Sequence, residues 1–188
     1  MRVDAEERLA SLLADFAARK RPIRIVSKRD APLQRWIDRA LRALTFGGQS
    51  TYLSHYVTTL GHTIYVPATW PARTAAQRWE VLRHEAVHVA QFERLTWLGM
   101  TVVYLFLPLP MILAYGRARL EWEAYRETLR CIAELEGIDA ARSPALHADI
   151  VRRFTGPDYA WMWPFPRMVQ RWIDEALSSI DSDGTERR

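Results

Sequence analysis

The sequence predicts an α+β protein that is mainly helical. Residues 3–20 and 73–94 lack glycine and proline and carry apolar side chains at the spacing of one helix face. Residues 23–27 and 51–67 instead alternate or are rich in Thr, Tyr, Val and Ile, which is typical of strands. With 188 residues, 49% of them hydrophobic, the chain can bury one substantial core. We therefore expect a single domain over residues 1–180 and a flexible polar tail over 181–188.

In the first part of the chain, the predicted elements are two helices, a strand and a hairpin. The first helix, 3–20, ends ahead of Pro22 and is followed by a strand over 23–27. Asp30 is a plausible N-cap for a second helix that ends before the glycines at 47 and 48. Residues 51–67 predict two strands joined by a turn at Gly61.

Helices dominate the rest of the chain. One is predicted over 73–94 and another over 111–136, where Gly137 is a good C-terminal cap. Pro144 begins a shorter helix through Phe154, and Pro166 begins a last helix through Ile180.

Composition excludes some function classes. The net charge of +4 comes from basic residues scattered among acids, so we expect no nucleic-acid partner. Cys131 is the single cysteine, which excludes an internal disulfide and fits a packing residue. The first residues form an amphipathic pattern and show no secretory signal, so we expect a cytoplasmic protein.

His84-Glu85-Ala86-Val87-His88 is the motif that carries chemistry. Two histidines at i and i+4 share one helix face, so both imidazoles can reach one zinc ion. Glu85 lies beside the first ligand and can take a proton from a zinc-bound water, which makes it the candidate general base. Five-residue motifs also occur by chance, but this one lies on a predicted helix, after a strand pair and before a helix that carries carboxylates.

In these features the sequence resembles the gluzincin metallopeptidases, including the CAAX-type proteases and the small minigluzincins. Their HExxH helix is followed by a second helix bearing ExxAD, whose glutamate is the third zinc ligand. Here Glu121-Trp122-Glu123-Ala124-Tyr125 matches the Glu and the Ala. The resemblance therefore implies a zincin-like fold, with a small sheet packed on the active-site helix, and one zinc per chain held by His84, His88 and Glu121. Glu123 is the competing carboxylate, about 200° around the helix from Glu121.

The departure from the family pattern is Tyr125, where the family has an aspartate that orients a histidine ligand. Tyr125 lies at i+4 from Glu121, and its hydroxyl is a candidate acceptor for a ligand imidazole. A neutral acceptor is weaker than a carboxylate. The combined HExxHxxQ and ExEAY pattern is similar to that of a small bacterial subfamily.

The resemblance also implies how a polypeptide substrate binds. In such folds an edge strand ahead of the active-site helix receives the extended substrate, here between Thr58 and Val66. A later His or Tyr is expected to stabilise the oxyanion. Tyr159 is the favoured candidate and His147 the alternative, although no motif surrounds either residue.

An uncharged stretch, 95–116, lies between the expected zinc ligands. A single membrane crossing would separate His88 from Glu121 by about 30 Å, and Pro108 and Pro110 would interrupt a spanning helix. We expect a buried helical hairpin or an oligomer contact from Trp97 to Leu113, with peripheral membrane contact as the alternative. The apolar segment 159–166 is expected to pack as a loop, line a substrate pocket or touch a membrane surface.

Three function classes compete for this sequence. A zinc endopeptidase requires Glu85 as the base, whereas a zinc-binding regulatory protein on the same fold could dispense with catalysis, as Tyr125 suggests. A ferritin-like di-iron protein needs a second ExxH motif, which the sequence lacks. The peptidase is the leading hypothesis.

Overall fold

A computed structural model describes residues 4–30, 57–105, 112–156 and 162–186, with the backbone alone for Trp97, 101–105, 112–114 and 184–186. The described part is mainly helical with a small three-stranded mixed sheet, which confirms the predicted α+β class. The chain forms two compact units, 1–93 and 94–188, and each is described by itself. The predicted helix after Asp30 lies outside the described residues, and the single domain over 1–180 stays a prediction.

In its described residues, 4–30 and 57–93, the first unit has helices and a sheet. Its described elements are α1 (Ala5–Ala18), β1 (Arg24–Ser27), a 3-10 turn (Lys28–Asp30), β2 (Thr58–Leu60), β3 (Thr63–Val66), a second 3-10 turn (Trp70–Ala72) and the first part of α2 (Ala75–Leu105). The predicted strand at 23–27 and the predicted hairpin are both present, the hairpin over residues 58–66.

The strands are ordered β1-β3-β2, so β3 lies in the middle of the sheet. Ile64 of β3 is paired with Ile25 in the parallel strand β1 and with Thr59 in the antiparallel strand β2. Gly61, the first of the two turn residues between β2 and β3, has a φ of 58°, a conformation that glycine adopts without steric cost. The sequence-predicted turn is therefore built as expected.

Two side-chain contacts hold the hairpin against α2. Thr59 of β2 donates a hydrogen bond to Glu85, and eight residues further along α2 the carboxylate of Glu93 lies 3.0 Å from Nε2 of His62 in the turn. On β3, Ile64 and its second neighbour Val66 are buried, as expected for one face of a strand. The hairpin thus lies beside the part of α2 that carries the HEAVH motif.

Helix α2 has a defined start and a defined break. Thr74 and Gln77 form a reciprocal capping box: each side chain accepts from the other residue's backbone N–H, at 3.2 and 3.0 Å. At Thr96 the backbone leaves the helical region, with φ 63° and ψ 171°, and the helix then resumes to Leu105. The sequence predicted an end near Arg94, close to this break.

The second unit consists of helices. After the end of α2 come α3 (Ile112–Glu136), α4 (Ile138–Ala141), α5 (Pro144–Thr155) and α6 (Pro166–Glu186). Gly137 separates α3 from α4 with a φ of 101°, as a glycine cap does. Helix α6 continues past Ile180 to Glu186, over most of the segment where the sequence predicted a polar tail.

An aromatic cluster forms the core of this unit. Phe154 is fully buried, and its ring lies 5.4 Å from Tyr125, 6.5 Å from Trp122 and 6.2 Å from Trp172, measured between ring centroids. Such rings bury large apolar areas and gain further from tilted ring pairs. Cys131 is also buried, as expected for a packing residue.

The uncharged stretch 95–116 is described in part. Its backbone is helical up to Leu105 and again from Ile112, while Leu98 is exposed and Met100 is buried. The side chains over 101–114 lie outside the described residues, so whether the stretch is buried or forms a contact stays a prediction. None of the helices in the described ranges is long and apolar enough to cross a membrane.

Candidate metal centre

The two histidines of the motif lie one turn apart on α2. Their ring centroids are 5.2 Å apart with 71° between the ring planes. His88 is buried and His84 is half-buried. This is the arrangement that the i, i+4 spacing predicted, because both imidazoles project from one helix face.

Gln91 orients the second histidine. Its side-chain oxygen lies 2.9 Å from Nδ1 of His88, one turn along the same helix. An amide oxygen only accepts hydrogen bonds, so Nδ1 carries the proton and Nε2 keeps its lone pair for a metal ion. Gln91 is 2% exposed, which shields this hydrogen bond from water. Ligand histidines commonly donate their other N–H in this way.

Glu85 is buried on α2 and is held by the neighbouring strand. Oγ1 of Thr59 donates a hydrogen bond of 2.7 Å to its Oε2 atom. Because a carboxylate has two oxygens that can each accept more than one hydrogen bond, this contact fixes the group without exhausting its capacity to accept a proton.

A cation lies in the electrostatic field of the same carboxylate. Arg73, just before α2, has a pKa below its usual range because burial disfavours its charged form, while Glu80 and Glu85 oppose that effect. Its guanidinium lies 5.3 Å from the ring centroid of Trp70. Arg73 therefore adds positive charge to the surroundings of Glu85.

Glu121 brings a carboxylate to the two histidines. One ligand atom each from His84, His88 and Glu121 lies within 4.8 Å of the other two. In a tetrahedral zinc site, ligand atoms about 2.1 Å from the ion are about 3.4 Å apart, so small side-chain movements suffice to close this set on one ion. No other group of three His, Cys, Asp or Glu side chains with such spacing occurs in the described ranges. The donor set therefore fits zinc.

Glu123, the competing carboxylate, is engaged elsewhere. Both of its oxygens lie within hydrogen-bond distance of Nη2 of Arg94, at 3.1 and 3.3 Å. It is also more exposed than Glu121, which is 5% exposed. Of the two carboxylates, Glu121, which the resemblance implied as the third ligand, is the one near the histidines.

The remaining predicted residues have different outcomes. Tyr125 is buried against the Phe154 ring, and its role as a partner of a ligand imidazole stays a prediction. Tyr159 lies outside the described residues. His147 lies 2.9 Å from the carbonyl oxygen of Ala141 through its Nε2 atom, a contact that joins α5 to the end of α4.

Sequence reasoning gave no role to two residues that support the motif, Gln91, which it recorded only as the Q of HExxHxxQ, and Thr59. The role of Gln91 could have been found, because it follows His88 by three positions and therefore lies on the same face of the helix. Thr59 carries no such signal, since 26 positions separate it from Glu85 and only the folded hairpin brings them together.

Comparisons with protein-family models, with curated proteins and with solved structures find no match to this chain. The functional argument therefore depends on the residues and their geometry.

Proposed function

We propose that this chain is a zinc-dependent endopeptidase. The observation that carries the proposal is the convergence of ligand atoms from His84, His88 and Glu121 within 4.8 Å, with the buried Glu85 adjacent in sequence. Two imidazoles and one carboxylate are the ligand set of many catalytic zinc sites that keep a fourth position open. The proposal goes beyond metal binding because Glu85 supplies the group that hydrolysis also requires.

Each of the three ligands has a separate role in holding the ion. His84 and His88 provide neutral nitrogen donors from one helix, and Glu121 provides a negative oxygen donor that partly balances the charge of the cation. Gln91 fixes the tautomer of His88 through the hydrogen bond at Nδ1. When bound in such a site, zinc would lower the pKa of a coordinated water to about 7.

Glu85 is the proposed general base. Its carboxylate would take a proton from the attacking water as the water oxygen bonds to the peptide carbonyl carbon, and would return that proton to the amine nitrogen as the C–N bond breaks. Thr59 holds Oε2 by a hydrogen bond and so restricts the rotation of the carboxylate. Tyr159 remains the proposed oxyanion stabiliser, because a His or Tyr after the metal helices is expected to fill that role.

Strand β2 is the proposed substrate-binding strand. In the described part of the sheet, β3 is paired on both sides, whereas β2 is paired only with β3. A substrate added to the outer edge of β2 would run beside the strand that contacts Glu85 through Thr59. This narrows the expected binding segment from the whole region between Thr58 and Val66 to Thr58–Leu60.

A second candidate function is a zinc-binding regulatory protein without catalysis. The observation that favours it is Tyr125, a neutral residue where the resembled family has a carboxylate. Under this alternative the bound zinc ion would serve folding or partner binding, and Glu85 would take no part in catalysis. The two candidates differ in whether the carboxylate of Glu85 is needed for hydrolysis.

Replacing Glu85 by glutamine tests the proposal. We expect Glu85→Gln to retain zinc but to lose hydrolysis of an unfolded protein such as casein, because an amide cannot accept the proton. The matched control is Glu123→Gln, which makes the same change on a half-buried residue paired with Arg94 and should leave activity intact. Zinc-loaded wild type without hydrolysis of any unfolded protein would favour the regulatory alternative, and equal activity in Glu85→Gln would exclude Glu85 as the base.

A further inference from the structure

Helices α3 and α6 run parallel in the second unit. Three contacts occur in the same order along both helices: Tyr115 against Trp163 just before α6, then Trp122 against Trp172, then Arg130 near Asp183. The two N-terminal halves therefore lie at one end of the pair, and both helix dipoles place partial positive charge there.

That end of the helix pair is strongly basic. Residues 112–120 and 162–173 contain no Asp or Glu. They contain four arginines, of which the last three are exposed: Arg117, Arg119, Arg167 and Arg171. The acids of both helices follow in their later parts: Glu121, Glu123, Glu127, Glu134 and Glu136 in α3, and Asp174, Glu175, Asp181, Asp183 and Glu186 in α6. Although the overall charge is only +4, basic and acidic residues are thus separated along the α3–α6 helix pair.

Aromatic side chains are exposed at the same end. Tyr115 is 41% exposed and Phe165 is 45% exposed. The ring of Trp163 lies between them, 5.0 Å from Tyr115 and 4.9 Å from Phe165. We call this surface, with Arg119, Arg167 and Arg171, the basic aromatic end. Large exposed aromatic rings in a cluster are unusual unless the surface has a partner.

We propose that the basic aromatic end binds the surface of an anionic lipid bilayer. Trp and Tyr rings favour the headgroup level of a membrane, and exposed arginines attract acidic lipids. Arg119 lies over the Trp172 ring at 5.4 Å, so its charge is held at the edge of the aromatic cluster. The geometry fits a protein that rests on the bilayer by this end.

Two other partners fit the same surface less well. A second copy of the chain would bring three exposed arginines against three more, and this repulsion disfavours self-association through the basic aromatic end. Nucleic acid would be attracted by the arginines. However, the segment that precedes this surface in the chain, 95–116, has no charged residue. Such a segment is compatible with lipid but would add no contacts to nucleic-acid phosphates, so a bilayer fits better.

Vesicle sedimentation with the full chain tests the proposal. We expect binding to vesicles of phosphatidylcholine mixed with phosphatidylglycerol and little binding to phosphatidylcholine alone. Arg167→Gln with Arg171→Gln should weaken binding about fivefold for each arginine removed. Tyr115→Ser with Phe165→Ser should weaken it further, and both residues are exposed enough for the fold to tolerate the change.

The matched control lies on α1, where Leu13 is also an exposed apolar residue and Arg19 is exposed. Leu13→Ser with Arg19→Gln should leave vesicle binding unchanged. Circular dichroism checks that all variants fold, and the arginine pair still tests the proposal if the aromatic pair does not fold. Absent binding to the anionic vesicles, or equal loss in the control, would overturn the proposal. So would tighter binding to single-stranded DNA, or a dimer that the Phe165 change dissociates.

Discussion

Both compact units bury apolar side chains, but the first also buries a polar stretch of α2. In residues 4–93, helix α2 buries Glu85, His88 and Gln91 within two turns, and each has a polar contact. In residues 94–186, the core is built around Trp122, Phe154 and Trp172. Burying polar groups costs free energy unless they are hydrogen-bonded, so the polar stretch of α2 is poorly explained by stability alone. We therefore expect the aromatic core of the second unit to contribute strongly to stability, whereas the buried polar groups of α2 fit the proposed metal chemistry.

The largest expected effect on stability follows from a change in the aromatic core. Phe154→Ala removes a fully buried ring from the centre of the cluster, so we expect the free energy of unfolding to fall by about 3–5 kcal/mol. Thermal and urea denaturation measure it. Phe165→Ala makes the same change at an exposed ring and should cost less than about 1.5 kcal/mol. Similar losses at both positions would contradict the idea that stability is concentrated in this core.

Gln91 should affect zinc affinity more than stability. Gln91→Ala removes the acceptor at Nδ1 of His88, so we expect zinc affinity to fall about 10- to 100-fold in a chelator competition. Gln91→Glu restores an acceptor and should recover affinity. If both variants bind zinc like the wild type, Gln91 has a packing role only. The buried polar stretch of α2 would then be less clearly tied to metal binding.

Thr59 should affect turnover and leave zinc affinity alone. Thr59→Val keeps the side-chain shape but removes the hydrogen bond to Glu85, so we expect kcat to fall about tenfold with KM unchanged. Thr59→Ser keeps the hydroxyl and should restore kcat. A fall in zinc affinity like that of Gln91→Ala would instead mean that Thr59 acts by holding the helix in place.

The smallest expected effect on stability comes from Asp149, a surface residue of the second unit. Partial burial raises the pKa of the Asp149 carboxyl, but hydrogen bonds from Arg152 and Arg153 outweigh this and lower it below its ordinary value. Because the pKa of this carboxyl is lower in the folded state than in the unfolded state, the ionised carboxylate stabilises the fold at pH values above the unfolded-state pKa of about 3.9. This stabilisation is lost as the pH falls through the folded-state pKa.

Asp149→Asn should therefore cost about 0.5 kcal/mol at neutral pH, since surface ion pairs contribute little. The difference from wild type should shrink as the pH falls through the folded-state pKa of the Asp149 carboxyl. Melting temperatures of both proteins across this range measure it. A variant that is destabilised equally at every pH would show that the charge is not responsible.

Much of the fold was predictable because its signals are local. Pro144 and Pro166 begin helices where their missing N–H groups cost nothing, and Gly137 ends one with a positive φ. The HEAVH spacing placed two histidines on one face of a helix, and the structure has them there. Local spacing therefore gave the helices and half of the candidate site.

The features that were not predictable depend on distant contacts. No local pattern pairs Ile25 with Ile64 in a parallel register, since the strands are brought together by the fold. The break at Thr96 occurs without glycine or proline at that position, and α6 continues through Gly184 against local propensity. For the same reason, no sequence pattern predicts the contact between Thr59 and Glu85.

Zinc content is the most direct test of the central claim. The purified wild type, supplied with zinc and cleared of loosely bound ions, should contain one zinc per chain by elemental analysis. His84→Ala and Glu121→Ala should each lose it, whereas Glu123→Ala, a carboxylate on the same helix as Glu121 but paired with Arg94, should retain it. Wild type without stoichiometric zinc, or zinc retained in both ligand variants, would contradict the account.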